Sequence, residues 1–419
     1  MSNQVISVLI FAAVILFIVT EKIDRTVAAI SGAVLVIVTN VLTLNKAISH
    51  IDFNTIGVLL GMMIVVSIVK NSGLFEYIAI YSAKKSKGNP WIIMIYFIII
   101  TAVLSALLDN VTTVLLVGPM TIVICQILNI NPIPFLMTEI IASNVGGTST
   151  LIGDPPNIMI GSAANLSFSD FIINLGPIIL IILVAIIICF KVIYKREVSN
   201  MANEACITSL DEEKAIQDKP LLYKSICVLL LILLGFIFHS NLNMESSIVA
   251  LSGACIMLII GKQDTNEIIG SVEWGTILFF IGLFIVVGGL SESGVIDTLA
   301  TFLINFTKGN ITYTMCLILW ISAIISAFLD NIPFVATLIP LILTMQSQGM
   351  DVAPLWWATS LGACLGGNGT LIGASANVVL ASVGEKHGYN ISFKSYFKIG
   401  FPIMLITISI STIYLLLKY

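Results

Sequence analysis

Residues 105–110 read Ser-Ala-Leu-Leu-Asp-Asn, and residues 326–331 read Ser-Ala-Phe-Leu-Asp-Asn. After a slip of one residue in the offset, Thr-Leu-Ile-Gly at 150–153 recurs at 370–373. Motifs that recur in the same order across both halves of a chain indicate an internal structural repeat. The second half of this chain is therefore predicted to fold like the first.

The composition is that of a membrane protein. Of the 419 residues, 58% are hydrophobic and only 10% are charged, too few to coat a soluble globule of this size. The first apolar run, Val5 to Val19, follows no basic segment and precedes no Ala-x-Ala cleavage pattern, so we expect a retained helix and not a signal peptide. A lipid bilayer is the expected partner, and no basic patch suggests nucleic acid.

Two apolar runs in each half are too long for a single crossing of about 20 residues. Asp109-Asn110 and Asp330-Asn331 interrupt one pair of runs, which predicts helical hairpins with polar tips, and Gly-rich stretches interrupt the other pair, which predicts broken helices. Each half then has five crossings plus a hairpin that adds none or two, so the number of crossings is odd and the second half should be inverted. The predicted fold class is an all-α polytopic membrane protein with two inverted repeats, each of five transmembrane helices and one re-entrant hairpin. Its predicted parts are a first repeat at 1–194 (hairpin 91–128, broken helix 134–164), a linker at 195–221, and a second repeat at 222–419 (hairpin 312–346, broken helix 354–383).

The placement of basic residues predicts the orientation. If the N-terminus is outside, 16 of the 19 lysines and arginines fall on the inner side, and only Lys46, Lys308 and Lys418 fall outside. Because basic residues accumulate on the cytoplasmic side of membrane proteins, we expect a multi-pass plasma-membrane protein with a cytoplasmic linker. The seven cysteines form no Cys-x-x-Cys pair, which argues against disulfides and a zinc site.

The broken helices predict the position of a binding site. Non-helical backbone at membrane depth persists only where protein or a water-filled cavity satisfies its peptide groups, so two breaks at equivalent places point to one central cavity. Glycine, hydroxyl and amide side chains occupy these breaks, and they either line the site or satisfy the broken backbone. They are Ser143, Asn144, Gly146, Gly147, Thr148, Ser149, Thr150 and Asn157 in the first half, and Gly366, Gly367, Asn368, Gly369, Thr370 and Asn377 in the second.

Acidic residues distinguish the two halves of this site. Asp154 precedes Pro155 and is predicted to cap a helix whose N-terminus faces the cavity, whereas Ala374 takes its place in the second half. Asp109 and Asp330 begin the second arms of the hairpins. They are ordinary helix caps by residue type, but a carboxylate deep in an apolar run is costly, so we also expect a role in ion or proton coupling.

At these residues the sequence resembles the ion transporter superfamily, in the branch that holds arsenite permeases, D-type sodium/proton antiporters and the melanosomal P-protein. The resemblance is carried by 109–113 (Asp-Asn-Val-Thr-Thr), by 143–157, and by their second-half echoes at Asp330-Asn331 and 366–377. It adds Thr112 and Thr113 to the candidate site. The related dicarboxylate and citrate carriers are dimers with Ser-Asn-Thr at the hairpin tips, which implies a homodimer as one option. The Asp-Asn tips of this chain instead favour coupling through a carboxylate.

The sequence therefore predicts a secondary active transporter and not an enzyme. It would move a small inorganic or organic anion or oxyacid, with arsenite-type efflux favoured, coupled to Na⁺ or H⁺ by alternating access, and without a cofactor or bound metal. Sodium/proton antiport and di- or tricarboxylate transport are the alternatives, and a passive channel and an intramembrane aspartyl protease are more distant ones. The chain has no ATP-binding Gly-x-x-x-x-Gly-Lys motif, but some arsenite permeases use a separate ATPase subunit, and that partner stays open.

Overall fold

The computed structural model describes residues 2–20, 22–195, 197 and 212–419, and within these ranges it is helical. Short 3₁₀ turns lie at Glu212–Ala215 and Gly367–Gly369. The helices of the first half are α1 (Asn3–Thr20), α2 (Arg25–Val38), α3 (Leu44–Ser49), α4 (Phe53–Lys70), α5 (Leu74–Lys85), α6 (Pro90–Leu107), α7 (Asn110–Ile127), α8 (Ile133–Gly147), α9 (Pro155–Ala164) and α10 (Phe168–Ile193). Those of the second half are α11 (Lys219–Phe238), α12 (Ser246–Gly261), α13 (Thr265–Gly270), α14 (Trp274–Glu292), α15 (Val295–Thr307), α16 (Ile311–Phe328), α17 (Asn331–Ser347), α18 (Ala353–Gly366), α19 (Ser375–Lys386) and α20 (Phe393–Lys418).

The chain is a multi-pass membrane protein. Nine helices among the described residues are long and apolar enough to cross a membrane, including both arms of the first hairpin and the first arm of the second. Large apolar side chains cover the outside of the bundle, with Leu180 66% exposed, Ile259 77% and Leu417 83%. Such a surface is stable against acyl chains and not against water.

The two halves share one order of elements, and each helix of the first half has a counterpart ten places later. In each half the first hairpin arm packs along the first segment of the broken helix, α6 on α8 and α16 on α18. Between the halves, α4 packs on α12, and its counterpart α14 packs on α2. The repeat in the sequence is therefore also a repeat of helix packing.

At both hairpin tips the same local features end the first helix and begin the second. Leu108 and Leu329 adopt extended backbone, which terminates α6 and α16. The next residue then caps the second arm: an Asp109 carboxylate oxygen accepts from the Thr112 amide at 2.7 Å, and an Asp330 oxygen accepts from the Ile332 amide at 3.1 Å. Capping satisfies amides that the first turn of a helix leaves free.

Contacts between helix ends define two faces of the bundle. The face that contains the start of α11, here called the linker face, also holds Asn71 and Gln263, whose side chains hydrogen-bond at 3.2 Å. At the opposite face Lys46 bonds Glu292 at 2.5 Å, and the Lys418 ammonium donates to Asn174 at 2.6 Å.

Two pairs of counterpart helices run antiparallel. The helix α10 begins at the opposite face, and its counterpart α20 ends there. In the same way α4 begins at the opposite face, and its counterpart α14 ends there. An inverted repeat requires this arrangement. The orientation of the two halves across a bilayer stays a prediction.

The end of the predicted linker is attached to the first half. The Gln217 amide donates to the Ser72 carbonyl at 3.1 Å, and Lys84 hydrogen-bonds Glu212. This bond holds the pKa of the Glu212 carboxyl below its usual value. Residues 196 and 198–211, which make up most of the linker, lie outside the described residues.

Candidate functional site

Two asparagines satisfy the backbone of the breaks. The Asn157 amide donates to the carbonyl oxygens of Thr148 and Thr150 at 3.1 and 2.9 Å. Its counterpart Asn377 donates to Gly367 and Thr370 at 2.8 and 2.9 Å. Each amide closes the gap between the two segments of its broken helix and replaces hydrogen bonds that a continuous helix would make. Only the acceptor side of each amide remains for other partners.

The hydroxyl groups of the breaks also donate to backbone carbonyls. Thr150 bonds Ala106 of the neighbouring hairpin and Thr370 bonds Ala327, each at 2.5 Å. The other hydroxyl–carbonyl bonds, from Ser143, Thr148 and Ser149 to Ile140, Asn144 and Gly146, measure 2.6–2.8 Å. In this conformation their protons stabilise the break and its attachment to the hairpin, and their oxygens can still accept. Their part in ligand binding stays a prediction.

A cluster of amides joins the two halves at the centre of the molecule. The Asn144 amide nitrogen donates to Asn368 and to Asn377 at 2.9 Å each, and its oxygen accepts from Asn110 at 3.2 Å. All four side chains are buried, with exposed fractions of 4% or less. They come from one hairpin tip and from both broken helices, and we call them the amide cluster.

Two buried polar atoms near these breaks have no protein partner. The Asn368 amide nitrogen and the Thr113 hydroxyl, on the first turn of α7, make no hydrogen bond among the described residues. A buried donor without a partner is unfavourable, so such atoms mark places where a ligand or water is expected.

The two hairpin aspartates have different surroundings. Asp330 accepts from the Ser375 hydroxyl at 2.6 Å, and an Arg25 nitrogen lies 3.5 Å from the same carboxylate oxygen. Arg25 also bonds Ser375 at 2.5 Å. Asp109 bonds Thr112, through the backbone amide and through the hydroxyl at 2.5 Å, and among the described residues it forms no ion pair.

Asp154 occupies the cap position of α9 but does not act as the side-chain cap that the sequence predicted. Its side chain makes no capping hydrogen bond, and instead both carboxylate oxygens accept from Asn331 at 3.3–3.4 Å. The carboxylate is 1% exposed. Because Asn331 begins α17, this contact joins the tip of the second hairpin to the break of the first half.

These carboxylates surround a small cavity. Its volume is about 30 Å³, enough for a water molecule or a single ion. Asp109, Asp154 and Glu273 contribute three carboxylates to its wall, and among the described residues Arg25 contributes the one cation. Asn110, Asn331, Thr276 and Ser375 supply the neutral polar groups. We call it the acidic cavity.

Close backbone approach explains the glycines of the breaks. A Cβ atom at Gly147 would lie 2.6 Å from the Gly153 carbonyl oxygen, and one at Gly146 would lie 2.1 Å from that of Ala102. At Gly366, Gly367 and Gly369 the corresponding nearest contacts are 2.6–3.1 Å. None of these glycines has a positive φ. The requirement is therefore steric and does not come from left-handed backbone.

Sequence reasoning missed Arg25, Glu273 and Ser375. Arg25 is one of the basic residues that the charge pattern assigns to the inner side, but it also starts α2 and reaches Asp330 of the other half. The available signal was its position, because it begins an apolar run that contains no other charge. By the repeat, the counterpart of Glu273 is Asp52, the cap residue of α4, and that of Ser375 is Pro155. The approach of Glu273 and Ser375 to the cavity depends on how α2, α14 and α19 pack.

Two larger depressions approach the centre from opposite faces. One, of about 380 Å³, extends on the linker face from Ile18 and Asp24 to Asp330 and Ser375. The other, of about 290 Å³, lies at the opposite face between His50 and Pro340. The Arg25–Asp330–Ser375 contacts line the first depression and the acidic cavity together.

Comparison with known proteins identifies the family. Residues 15–362 match the model of a family described as citrate transporter. An "uncharacterized transporter" of Mycobacterium tuberculosis is 43% identical over 99% of both chains. The P protein of Homo sapiens is 32% identical over 99% of this chain, which corresponds to 60% of the human protein. These matches confirm the resemblance found in the motifs.

A solved structure shows the same fold. The crystal structure of the YdaH transporter of Alcanivorax borkumensis superposes with a TM-score of 0.66 and covers 99% of this chain and 98% of its own. The two sequences are 12% identical. The predicted all-α polytopic class is thereby confirmed.

Proposed function

Because the chain belongs to the citrate transporter family, we propose that this membrane transporter is secondary active, moves a small anion or oxyacid by alternating access, and is driven by a proton or sodium gradient. The observation that carries the proposal is the amide cluster, in which a hairpin tip and both broken helices meet. A site shared by the two halves changes its geometry whenever they move relative to each other. That gives the differential affinity that coupled transport needs.

The amide cluster suits a neutral or weakly charged solute. Amides and hydroxyls supply its polar atoms, and Asn368 has a buried donor to spare. An undissociated oxyacid offers hydroxyl groups that can accept and donate such bonds without the cost of burying a full charge. Arsenite-type efflux is the favoured form of the proposal.

The acidic cavity suits the coupling ion. Three carboxylates against one guanidinium favour a cation, and oxygen ligands are those that hard cations bind. A carboxylate can equally hold a proton in one conformation and release it in another. Asp109 and Asp154 are the residues proposed for this role, with Asn110, Thr276 and Asn331 as neutral ligands.

The same cavity supports sodium/proton exchange as a second candidate. An antiporter needs one site at which a proton and a metal ion compete, and the space for a single ion between Asp109 and Asp154 fits that requirement. Di- and tricarboxylates fit less well, because in the part of the chain that the structure describes Arg25 is the one cationic side chain that faces the acidic cavity.

The remaining assignments follow from the sequence. We propose that the protein lies in the plasma membrane with its N-terminus outside and its linker in the cytoplasm, and that the linker face is the cytoplasmic one. Lys22, Arg25, Lys70 and Lys262 belong to this face, which supports the assignment. A homodimer and a separate ATPase subunit remain options that the family resemblance raises.

The test is transport by the purified protein in liposomes. Arsenite, antimonite, sodium, citrate and succinate would be offered one at a time under an imposed pH gradient. Gradient-dependent movement of arsenite or antimonite supports the favoured form, and movement of sodium alone supports the antiporter.

A matched pair of variants links the transport to the site. Asn144→Ala removes the residue that joins the amide cluster and should lose transport of the active solute. Asn174→Ala, which removes an amide at the opposite face, should retain it. Equal activity of the two variants would contradict the central site.

A further inference from the structure

Glu139 is a buried acid outside the site described above. It lies on α8, five residues before Asn144, and none of its surface is exposed. Five helical residues correspond to about 7.5 Å along the axis, which separates it from the amide cluster. Neither the hairpin tips nor the acidic cavity includes it.

Its carboxyl group has one hydrogen-bond partner. The Thr121 hydroxyl of α7 donates to one oxygen at 2.5 Å, and the other oxygen has no partner among the described residues. Among the described residues, the buried Cys125 thiol, also on α7, faces it. The buried Tyr194, after α10, contacts the sulfur of Met137, two residues before Glu139, at 3.5 Å.

The helices packed against α8 supply no compensating charge. The segments α6, α7 and α18 contain no Asp, Glu, Lys, Arg or His. The charged residues of α10 and α19, the other helices that pack on α8, are Asp170, Lys191, Glu385 and Lys386, and none of them forms an ion pair with Glu139; Lys191, Glu385 and Lys386 are exposed. An ionised carboxylate in such surroundings is strongly unfavourable, so these surroundings favour the protonated acid.

The pair of Glu139 and Thr121 exists in one half only. By the repeat, Thr359 and Ile342 occupy the equivalent positions. The pair also lies near a contact between the halves. Gly118, one turn before Thr121, packs against Leu380 of α19, and a Cβ atom at Gly118 would lie 2.1 Å from the Leu380 side chain. Any movement of α19 against α7 would therefore change the surroundings of Glu139.

We propose that Glu139 is a second proton-binding site of this transporter, separate from the acidic cavity, which holds a proton in this conformation and releases it to water when α19 moves away from α7. The step converts the carboxylic acid to a carboxylate plus a proton taken up by water, and Thr121 keeps its hydrogen bond to the carboxylate formed. The release step rests on the proposed alternating-access function, whereas the bound proton does not.

Infrared spectroscopy of the purified protein in lipid nanodiscs tests the bound proton. The infrared difference spectrum between the wild type and Glu139→Gln at neutral pH should contain the carbonyl stretch of one buried carboxylic acid, which the variant lacks. Thr121→Val should shift the band, because the acid loses its hydrogen bond. Thr138→Val is the matched control, since this neighbouring buried hydroxyl bonds the Phe135 carbonyl, and the band should not move.

Proton flux into liposomes that contain a pH-sensitive dye, under an imposed sodium gradient, tests the release. Wild-type flux should be lost in Glu139→Gln and retained in Thr138→Val. An unchanged band in Glu139→Gln overturns the proposal, and if that variant does not fold, an unshifted band in Thr121→Val does so. Absence of sodium-driven flux in the wild type would instead contradict sodium coupling and leave the infrared result to decide the proton site.

Discussion

Asp109 and Asp330 hold equivalent places in the two hairpins and cap equivalent helices, but only Asp330 is paired with a cation. The counterparts of Arg25 and Ser375 are Ser246 and Pro155, so the first hairpin cannot build the same contacts. A duplicated motif has thus acquired two environments. Asp330 suits a structural or gating contact, and Asp109 faces the acidic cavity without a direct ion pair.

Asp109→Asn is expected to uncouple transport. Asparagine caps a helix as well as aspartate does, so folding should be preserved while the charge is lost. Transport driven by a pH or sodium gradient should fall to the background level, and exchange of solute at equilibrium should continue. Both are measured in liposomes.

Asp264→Asn is the matched control for that variant, because Asp264 caps a short helix at an exposed position and should be dispensable. Asp330→Asn completes the set. Gradient-driven transport at wild-type rates in both hairpin variants would reduce the aspartates to caps and leave Asp154 as the next candidate.

Sequence reasoning at this scale found residues that are repeated and missed residues that are not. Asp109, Asn144 and Asn377 stand in motifs that recur, and the structure brings them to the centre. Arg25 and Glu139 have no recurring partner, and their contacts with Asp330 and Thr121 arise only when helices distant in the chain pack together. Local pattern does not encode such contacts.

Among the elements, the broken helices are the least regular, and glycine is what allows their geometry. The segments α8 and α18 approach the first hairpin arms so closely that backbone contacts backbone at Gly146 and Gly366. The sequence predicted the breaks from glycine and polar content. It could not predict that their hydroxyls donate to the hairpin backbone, because that depends on which carbonyls the hairpin presents.

Gly147→Val is expected to abolish transport. The new side chain would lie within 2.6 Å of the Gly153 carbonyl, so the loop between α8 and α9 has to move. Forced overpacking of this kind costs about 1–3 kcal/mol, which should lower the unfolding temperature and leave the protein folded. Solute uptake and thermal unfolding measure the two effects.

Gly176→Val on α10 is the control, because the nearest atom to its Cβ position lies at an ordinary 3.7 Å. It should retain transport. Wild-type uptake by Gly147→Val would show that the break tolerates rearrangement and is not part of the site.

On the scale of the whole molecule, the proposed shared site requires two halves of opposite orientation. Their counterpart helices α10 and α20 run antiparallel, and the hairpin tip of each half meets the break of its own half or of the other. The duplication, the hairpins and the breaks could be predicted from the sequence because each has a local signature. The packing of α4 on α12 and of α14 on α2 has no local signature in the sequence.

Cysteine labelling measures that orientation. In a cysteine-free background, single cysteines at Ser209, outside the described residues, and at Asn241, after α11, should react with impermeant reagents from opposite sides of the membrane. Ser209 should be labelled from the cytoplasm. Labelling of both from one side would remove the inverted repeat and the argument for a shared site.

Counterflow in liposomes is the most direct test of the central claim, that the two halves form one site open to one side at a time. Liposomes preloaded with unlabelled solute, arsenite or sodium according to the solute screen, are diluted into a trace of labelled solute. A carrier should accumulate label transiently above its equilibrium level. Each unlabelled solute that leaves on the carrier exposes the site to the outside, where it binds labelled solute and carries it in. A monotonic rise to equilibrium without overshoot would indicate a passive pore and contradict alternating access.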